Sequence, residues 1–132
     1  MATIFTRIAS GEIPSYKVAE SEDFYAFLDI NPLAKGHTLV IPKAQSAGLL
    51  DTPDAALGEM VARVRKVAAR LKEVLRCDGF NILQNNGEAA GQTVMHVHFH
   101  IVPRYAGGEA LSFKSGKGDM EALKALAERL RF

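Results

Sequence analysis

Three of the four histidines of this chain fall within five residues. His96, His98 and His100 alternate with Val97, Phe99 and Ile101, and the run closes with Val102-Pro103-Arg104; the fourth histidine is His37. A strand sends successive side chains to opposite faces, so the alternation predicts one strand with an apolar face and a face bearing three imidazoles. Rings on one face are about 7 Å apart along the backbone, close enough for their nitrogens to converge on one atom.

Three chemistries fit such a row. In a purely structural role each ring must satisfy two nitrogens, and an unpaired one costs about 1–3 kcal/mol. As metal ligands, three histidines and a water make a hydrolytic zinc site. No acid stands beside the row to orient the rings, so the fold would have to deliver one, such as Asp29. In covalent catalysis on phosphorus, one imidazole attacks a phosphoryl group and forms a P–N bond that water can break. The other rings then offset the added charge and protonate the leaving group, with no metal. His98, with a ring on each side, is the nucleophile of that reading. The Gln92 amide, the Thr93 hydroxyl and backbone N–H groups near Gly91 would add donors.

The elements that must position these residues are legible as patterns. Residues 1–15 read as a helical turn and a loop closed by Pro14. Tyr16–Ala19 and Phe24–Asp29 read as two short strands. Asn31-Pro32 and Lys35-Gly36 mark a turn before a strand over His37–Ile41 that Pro42 ends. Thr52 caps a helix with Pro53 at its first position. Leu57, Met60, Val61, Val64, Ala68, Leu71 and Leu75 give that helix an apolar face, and it stops between Arg76 and Gly79. At about 1.5 Å per residue it exceeds 30 Å, enough to cross a sheet. A strand over Phe80–Gln84 pairs antiparallel with the histidine strand through a long loop, Asn85 to Gln92. Asp119 caps a last helix with Leu123, Leu126, Ala127 and Leu130 on one face. Strands, long helix, strands and helix in that order predict a single α+β domain over residues 1–132 with a mostly antiparallel sheet.

The 132 residues suit one core, and a net charge of +1 gives no electrostatic case for nucleic acid or an anionic membrane. No apolar run approaches the roughly 20 residues of a membrane helix. The first residues lack the pattern of a signal peptide. A single cysteine, Cys77, forms no internal disulfide and reads as a small buried residue. Together these predict a cytoplasmic protein. No Walker-type glycine loop is present, so phosphate must be held another way.

The segment Gly91-Gln92-Thr93-Val94-Met95-His96-Val97-His98-Phe99-His100-Ile101-Val102-Pro103-Arg104 resembles the signature of the histidine triad family, His-φ-His-φ-His-φ-φ with φ apolar. Ile4-Phe5 through Gly11-Glu12-Ile13-Pro14-Ser15 resembles the family's N-terminal segment. Phe27-Leu28-Asp29-Ile30-Asn31-Pro32 and Gly36-His37-Thr38-Leu39-Val40-Ile41-Pro42-Lys43 resemble its nucleotide-binding strands. The matches cover most of residues 4–104.

The resemblance implies an α+β fold of about five mostly antiparallel strands with one long and one C-terminal helix, the sheet extending across a homodimer. It implies attack of His98 on the α-phosphate of a nucleotide, with His100 and His37 beside the phosphate or the nucleophile. His96 would fix the tautomer and orientation of His98, partly through its carbonyl. Gln92 and Thr93 would contact phosphate and leaving group, Asp29 the ribose, Asn85 the phosphate and ribose, and Phe27 and Ile30 the base. From the residues alone, Phe27 and Ile30 read more readily as core, while Asp29 also reads as a turn cap, Asn85 as a loop residue bonding its own backbone, and His37 as a satisfied strand-end histidine.

The implied substrates are nucleoside–P(α)–X, of AMP or GMP type, where X is an amine, a carboxylate or another phosphate. Phosphoramidates and dinucleoside polyphosphates both belong to that class; Pro103-Arg104 occurs in the polyphosphate branch and widely in bacterial members of uncertain substrate, so it does not decide, and the resemblance leans towards phosphoramidates. No cofactor or catalytic metal is expected. A metal-dependent hydrolase using the histidine row, or a nucleotide-binding protein without turnover, are the competing readings. The chain departs from the family in one place. Many bacterial members begin Cys-Ile-Phe-Cys and carry a histidine two residues beyond Pro-Lys, together binding a structural zinc. Here those positions hold Thr3, Thr6 and Gln45, so that zinc is expected to be absent.

Overall fold

A computed structural model describes residues 2–132. Met1, the first residue of the expected single-domain span, lies outside the described residues. The elements run α1 (Ile4–Ala9), β1 (Lys17–Glu20), β2 (Phe24–Leu28), β3 (Thr38–Pro42), α2 (Asp54–Leu75), β4 (Gly79–Leu83), β5 (Phe99–Arg104) and α3 (Met120–Leu130). The five strands form one sheet in the order β1-β2-β3-β5-β4, with every neighbouring pair antiparallel. This is the α+β architecture the element order predicts.

Both faces of the central strands are covered, which is why β2 and β3 read as nearly continuous apolar runs. On one face Tyr25 opposes Ile41 and Phe27 opposes Leu39, and these four pack with Phe5 and Ile8 of α1. On the other, Ala26, Val40 and Ile101 pack with Val64, Val67, Ala68 and Leu71 of α2. Helix α1 is therefore held by its apolar side, and Thr3 caps it by accepting from the Thr6 N–H at 3.2 Å.

Several boundaries differ from expectation. Helix α2 begins one residue later, with Pro53 itself as the flanking residue. The Thr52 hydroxyl makes no capping bond; it donates back to the Gly48 carbonyl at 2.7 Å and closes the preceding turn. Val61 is exposed and Val67 takes its place in the apolar face. The helix ends at Leu75, before Gly79 as expected, with Arg76 closing it in a left-handed conformation (φ 56°) that costs a non-glycine residue about 1–2 kcal/mol. Cys77 is buried, as its type suggested. Asp119 caps α3 as predicted, accepting from the Glu121 N–H at 3.2 Å, but Leu123, Leu126 and Leu130 are exposed.

The largest correction concerns the histidine strand. β5 starts at Phe99, so only His100 of the three lies in it. The β3–β5 ladder stops at Val40↔Phe99. Beyond it Val97 donates its N–H to the Ser46 carbonyl at 2.8 Å, outside the sheet. His96, Val97 and His98 are all buried, so the alternation does not divide a buried face from an open one.

Candidate active site

Adjacent strand ends assemble one half of the site. Asp29 follows β2, His37 precedes β3, and the Asp29 N–H donates to the His37 carbonyl at 2.9 Å, continuing the β2–β3 ladder. His100 pairs with Leu39 across β3 and β5, which brings its ring beside His37. Gly36, at φ +92°, makes the turn into β3, and a Cβ there would collide with Leu75 of α2.

Hydrogen bonds to groups of fixed polarity settle the proton positions in this cluster. His37 Nδ1 accepts from the Leu33 N–H at 3.0 Å, so in the neutral ring Nε2 carries the proton. Nε2–H then donates to His100 Nδ1 at 2.9 Å, which leaves the His100 proton on Nε2. One Asp29 oxygen lies 3.7 Å from His37 Nε2, and the other accepts from the Asn31 N–H at 2.8 Å. Asp29 is thus both the turn cap and a neighbour of the histidines.

The other half comes from the segment before β5. His98 Nδ1 donates to the His96 carbonyl at 2.7 Å, so the unprotonated nitrogen of His98 is Nε2, which bonds to nothing among the described residues. His96 is fully buried, and its Nε2–H donates to the Pro42 carbonyl at 2.8 Å. Its Nδ1 is then an acceptor and takes the Thr3 hydroxyl proton at 2.7 Å. The Phe5 ring stands edge-on to both, with centroids 4.9 Å from His98 and 5.9 Å from His96. His98 and His100 are 4.9 Å apart, ring to ring.

Burial pushes all four histidines below their usual range and keeps these rings neutral. The effect is largest at His100, lowered to about 4 by burial first and then by its neighbours His98 and His37. Asp29 opposes the shift at His37, His98 and His100.

His98, His100, Asp29 and Thr93 line a cleft of about 410 Å³. Its apolar wall includes Phe5, Ile8, Ile13, Phe27, Leu39 and Val94. Phe27 belongs to core and cleft alike, and Ile30 stands at the rim, 77 % exposed. Two expected contacts are not brought to the cleft. Gln92 is buried in the loop, where its amide donates to the carbonyls of Ala47 (2.7 Å) and Val94 (3.0 Å) and accepts from the Gly87 N–H (2.8 Å). Asn85 is half-buried behind Gly91, outside the cleft wall. His96 also stands behind the cleft. Phe5 and Thr3, which the sequence marks only as an N-terminal family segment and a lost zinc position, are partners of histidines some ninety positions away, a contact that no local pattern signals.

The histidine row cannot serve as three metal ligands in this arrangement, since both nitrogens of His96 and Nδ1 of His98 are engaged. The group with ligand-like spacing is instead Asp29, His37 and His100, whose donor atoms lie within 4.8 Å of one another. The positions at which the resemblance implied a structural zinc do converge: Thr3 and Thr6 meet at His96, and Gln45 bonds both threonines. Two hydroxyls and an amide oxygen do not fit a zinc that takes thiolates and imidazoles, and they are bonded to one another instead.

A family model for the HIT domain matches residues 10–107. An uncharacterised HIT-like protein of Methanocaldococcus jannaschii is 51% identical over 111 residues, 83% of this chain and 85% of that one. The adenosine 5'-monophosphoramidase HNT1 of Candida albicans is 40% identical over 134 residues, 97% of this chain and 88% of that one. A solved structure from Streptococcus mutans superposes with a TM-score of 0.91 at 44% identity, covering 97% of this chain and 82% of that one. Matched by that model over most of its length and 51% identical to a HIT-like protein over most of both chains, the chain belongs to the HIT domain family, the histidine triad proteins.

Proposed function

We propose that the protein hydrolyses nucleoside phosphoramidates at the α-phosphate through a nucleotidyl-His98 intermediate. The observation that carries this reading is the 2.7 Å bond from His98 Nδ1–H to the His96 carbonyl, which presents Nε2 with a free lone pair beside the cleft. In the first step Nε2 attacks phosphorus, a P–N bond forms, and X leaves with the electron pair of the P–X bond and a proton from water in the open cleft. The His98 ring becomes cationic, and the His96 carbonyl and Asp29 offset that charge. His100 Nε2–H donates to a phosphate oxygen. In the second step water adds to phosphorus, the pair returns to Nε2, and a nucleoside monophosphate and a proton leave.

The amine is favoured as X by charge. Among the described residues no lysine or arginine lines the cleft, and Arg104 is turned to Asn81 at 2.9 Å. A polyphosphate leaving group would bring further negative charge with no side-chain cation to meet it. The adenosine monophosphoramidase relative points the same way. Asp29 and Ile30 at the cleft rim suit ribose and base, with Phe27 and Leu39 behind. Asn85 and Gln92 act by shaping the loop, and Thr93 is the loop donor that reaches the cleft.

We also propose a homodimer joined at β4. That strand is a sheet edge whose Phe80 and Ile82 are exposed in alternation. Sedimentation of the purified protein at twice the chain mass, and dissociation by Ile82→Lys, would support it; a monomer would refute it. Among the described residues no helix is long and apolar enough to cross a membrane. The test of the reaction is to quench turnover of an adenosine phosphoramidate and map the mass. An added nucleoside monophosphate on His98, absent in His98→Ala, is expected. An unmodified His98 during demonstrated turnover would refute the covalent step.

A further inference from the structure

We infer that Thr3, Thr6 and Gln45 form a hydrogen-bonded clamp that orients the nucleophile through His96. The inference rests on the reading of His98 as nucleophile.

The clamp has one self-consistent set of proton positions. The Pro42 carbonyl can only accept, so His96 Nε2 donates to it and His96 Nδ1 must accept. The Thr3 hydroxyl supplies that proton at 2.7 Å. Its oxygen is then free to accept, and it takes the Thr6 N–H at 3.2 Å. The Thr6 hydroxyl donates to Gln45 Oε1 at 2.9 Å, and the Thr3 N–H reaches the same oxygen at 3.2 Å. Each of these protons goes to its nearest acceptor, and the 3.2 Å approach of the two threonine oxygens and the 3.5 Å approach of the Thr6 hydroxyl to His96 Nδ1 need no proton of their own.

The result ties α1 to the site through a side chain that touches no substrate. The His96 ring is pinned from both nitrogens, by α1 on one side and the end of β3 on the other. The carbonyl of that same residue receives His98 Nδ1–H and so fixes which His98 nitrogen is free. Removing the Thr3 proton leaves His96 Nδ1 with only the Thr6 hydroxyl in reach, at a long 3.5 Å, so the buried ring shifts towards it or changes tautomer. A displaced carbonyl misaims His98, and a misplacement of about 1 Å costs as much as about 100-fold in rate. Thr3, Thr6 and His96 are therefore positioning residues.

The test uses Thr3→Val, which removes the hydroxyl, Thr3→Asp, which keeps an acceptor for the helix cap but offers no proton to neutral His96, and Thr3→Ser, which keeps both. Two readouts are taken on the full-length protein: histidine tautomers by nitrogen-15 NMR without substrate, and kcat and KM on an adenosine phosphoramidate. Thr3→Val and Thr3→Asp are expected to change the His96 state, weaken the His98 Nδ1–H signal, and lower kcat by about 10-fold or more with KM within about twofold. Thr3→Ser should restore both readouts. If Thr3→Val does not fold, Thr3→Asp decides. Wild-type His96 and His98 tautomers kept in a folded Thr3→Val or Thr3→Asp protein, or kcat unchanged, would overturn the clamp. A wild-type protein without turnover would sink the proposed reaction but leave the tautomer result to decide the clamp separately.

Discussion

His98 and His96 are joined through main chain rather than ring to ring: His98 Nδ1–H donates to the His96 carbonyl at 2.7 Å. The middle histidine thus takes its tautomer from a backbone group, and the first histidine controls that group through the position of its own buried ring. Each of the three sequence-adjacent histidines has a different task. His96 is packed and doubly bonded, His98 carries the free lone pair, and His100 offers a proton at the cleft.

This arrangement requires neutral rings, which sets the pH behaviour. The folded-state values of His37, His96, His98 and His100 lie below 6.5, His100 at about 4. The unfolded chain therefore binds more protons below pH 6.5, and stability is lost as pH falls from there towards 4. Tm measured across this range should drop on acidification, and His100→Asn should flatten the drop. Activity should be level through neutrality, with the acid limb of kcat/KM beginning below pH 6.5, where His98 gains a proton on Nε2. A limb centred above 6.5 would contradict the neutral cluster.

Asp29 gives a separable prediction, because its two oxygens have different partners. Asp29→Asn keeps an acceptor for the Asn31 N–H and so keeps the turn. It removes the charge beside His37 and any charged contact to a ribose hydroxyl. A hydrogen bond to a charged group contributes about 1.5–3 kcal/mol, so KM should rise by about 10-fold with little change in fold stability. The loss should shrink when the substrate lacks the ribose hydroxyls. An equal loss on ribose and deoxyribose analogues would remove Asp29 from sugar binding.

Phe5 joins core and site. It packs with Phe27 at 5.6 Å between centroids and stands edge-on to His98 at 4.9 Å. Phe5→Ala should cost about 3–5 kcal/mol of stability, read by denaturant unfolding, and should also lower kcat by loosening the His98 ring. Phe5→Leu should recover most of the stability but less of the kcat, since only an aromatic edge restores the packing against the imidazole.

What the sequence made legible follows from range. The strands β2 and β3 and the helix α2 carry their periodicity locally, and the apolar runs of Phe24–Leu28 and Thr38–Pro42 are what two covered faces demand. The convergence of His37, Asp29 and His100 was legible only through family resemblance, because it depends on strand order. The departure of His96 to His98 from the strand was not legible, since it is made by the Pro42 carbonyl at the end of β3 and the Ser46 carbonyl of the segment after it. The exchange of zinc positions for Thr3, Thr6 and Gln45 could be seen in the sequence as a loss. That they meet at His96 as a bonded cluster could not.

Gln92 is the residue whose expected role changes most. The phosphate contact predicted for its amide conflicts with a side chain 3% exposed and bonded at both ends. Its amide nitrogen links the carbonyl of Ala47 to that of Val94, and its oxygen holds the Gly87 N–H. These bonds fix the loop between β4 and β5 against the segment after β3, and with it the position of Thr93 at the cleft. Gln92→Ala would leave three backbone groups to find water, at about 1–3 kcal/mol for each that stays buried. Amide hydrogen exchange should then rise at Gly87 and through residues 91–95, and kcat/KM should fall with it. Gln92→Glu separates the two roles. A carboxylate can still accept from Gly87 but cannot donate to the carbonyls of Ala47 and Val94, so it should loosen the loop as alanine does. If exchange in the loop stays at the wild-type level in Gln92→Glu while kcat/KM falls, the amide acts on the substrate directly and the loop-closing role is wrong.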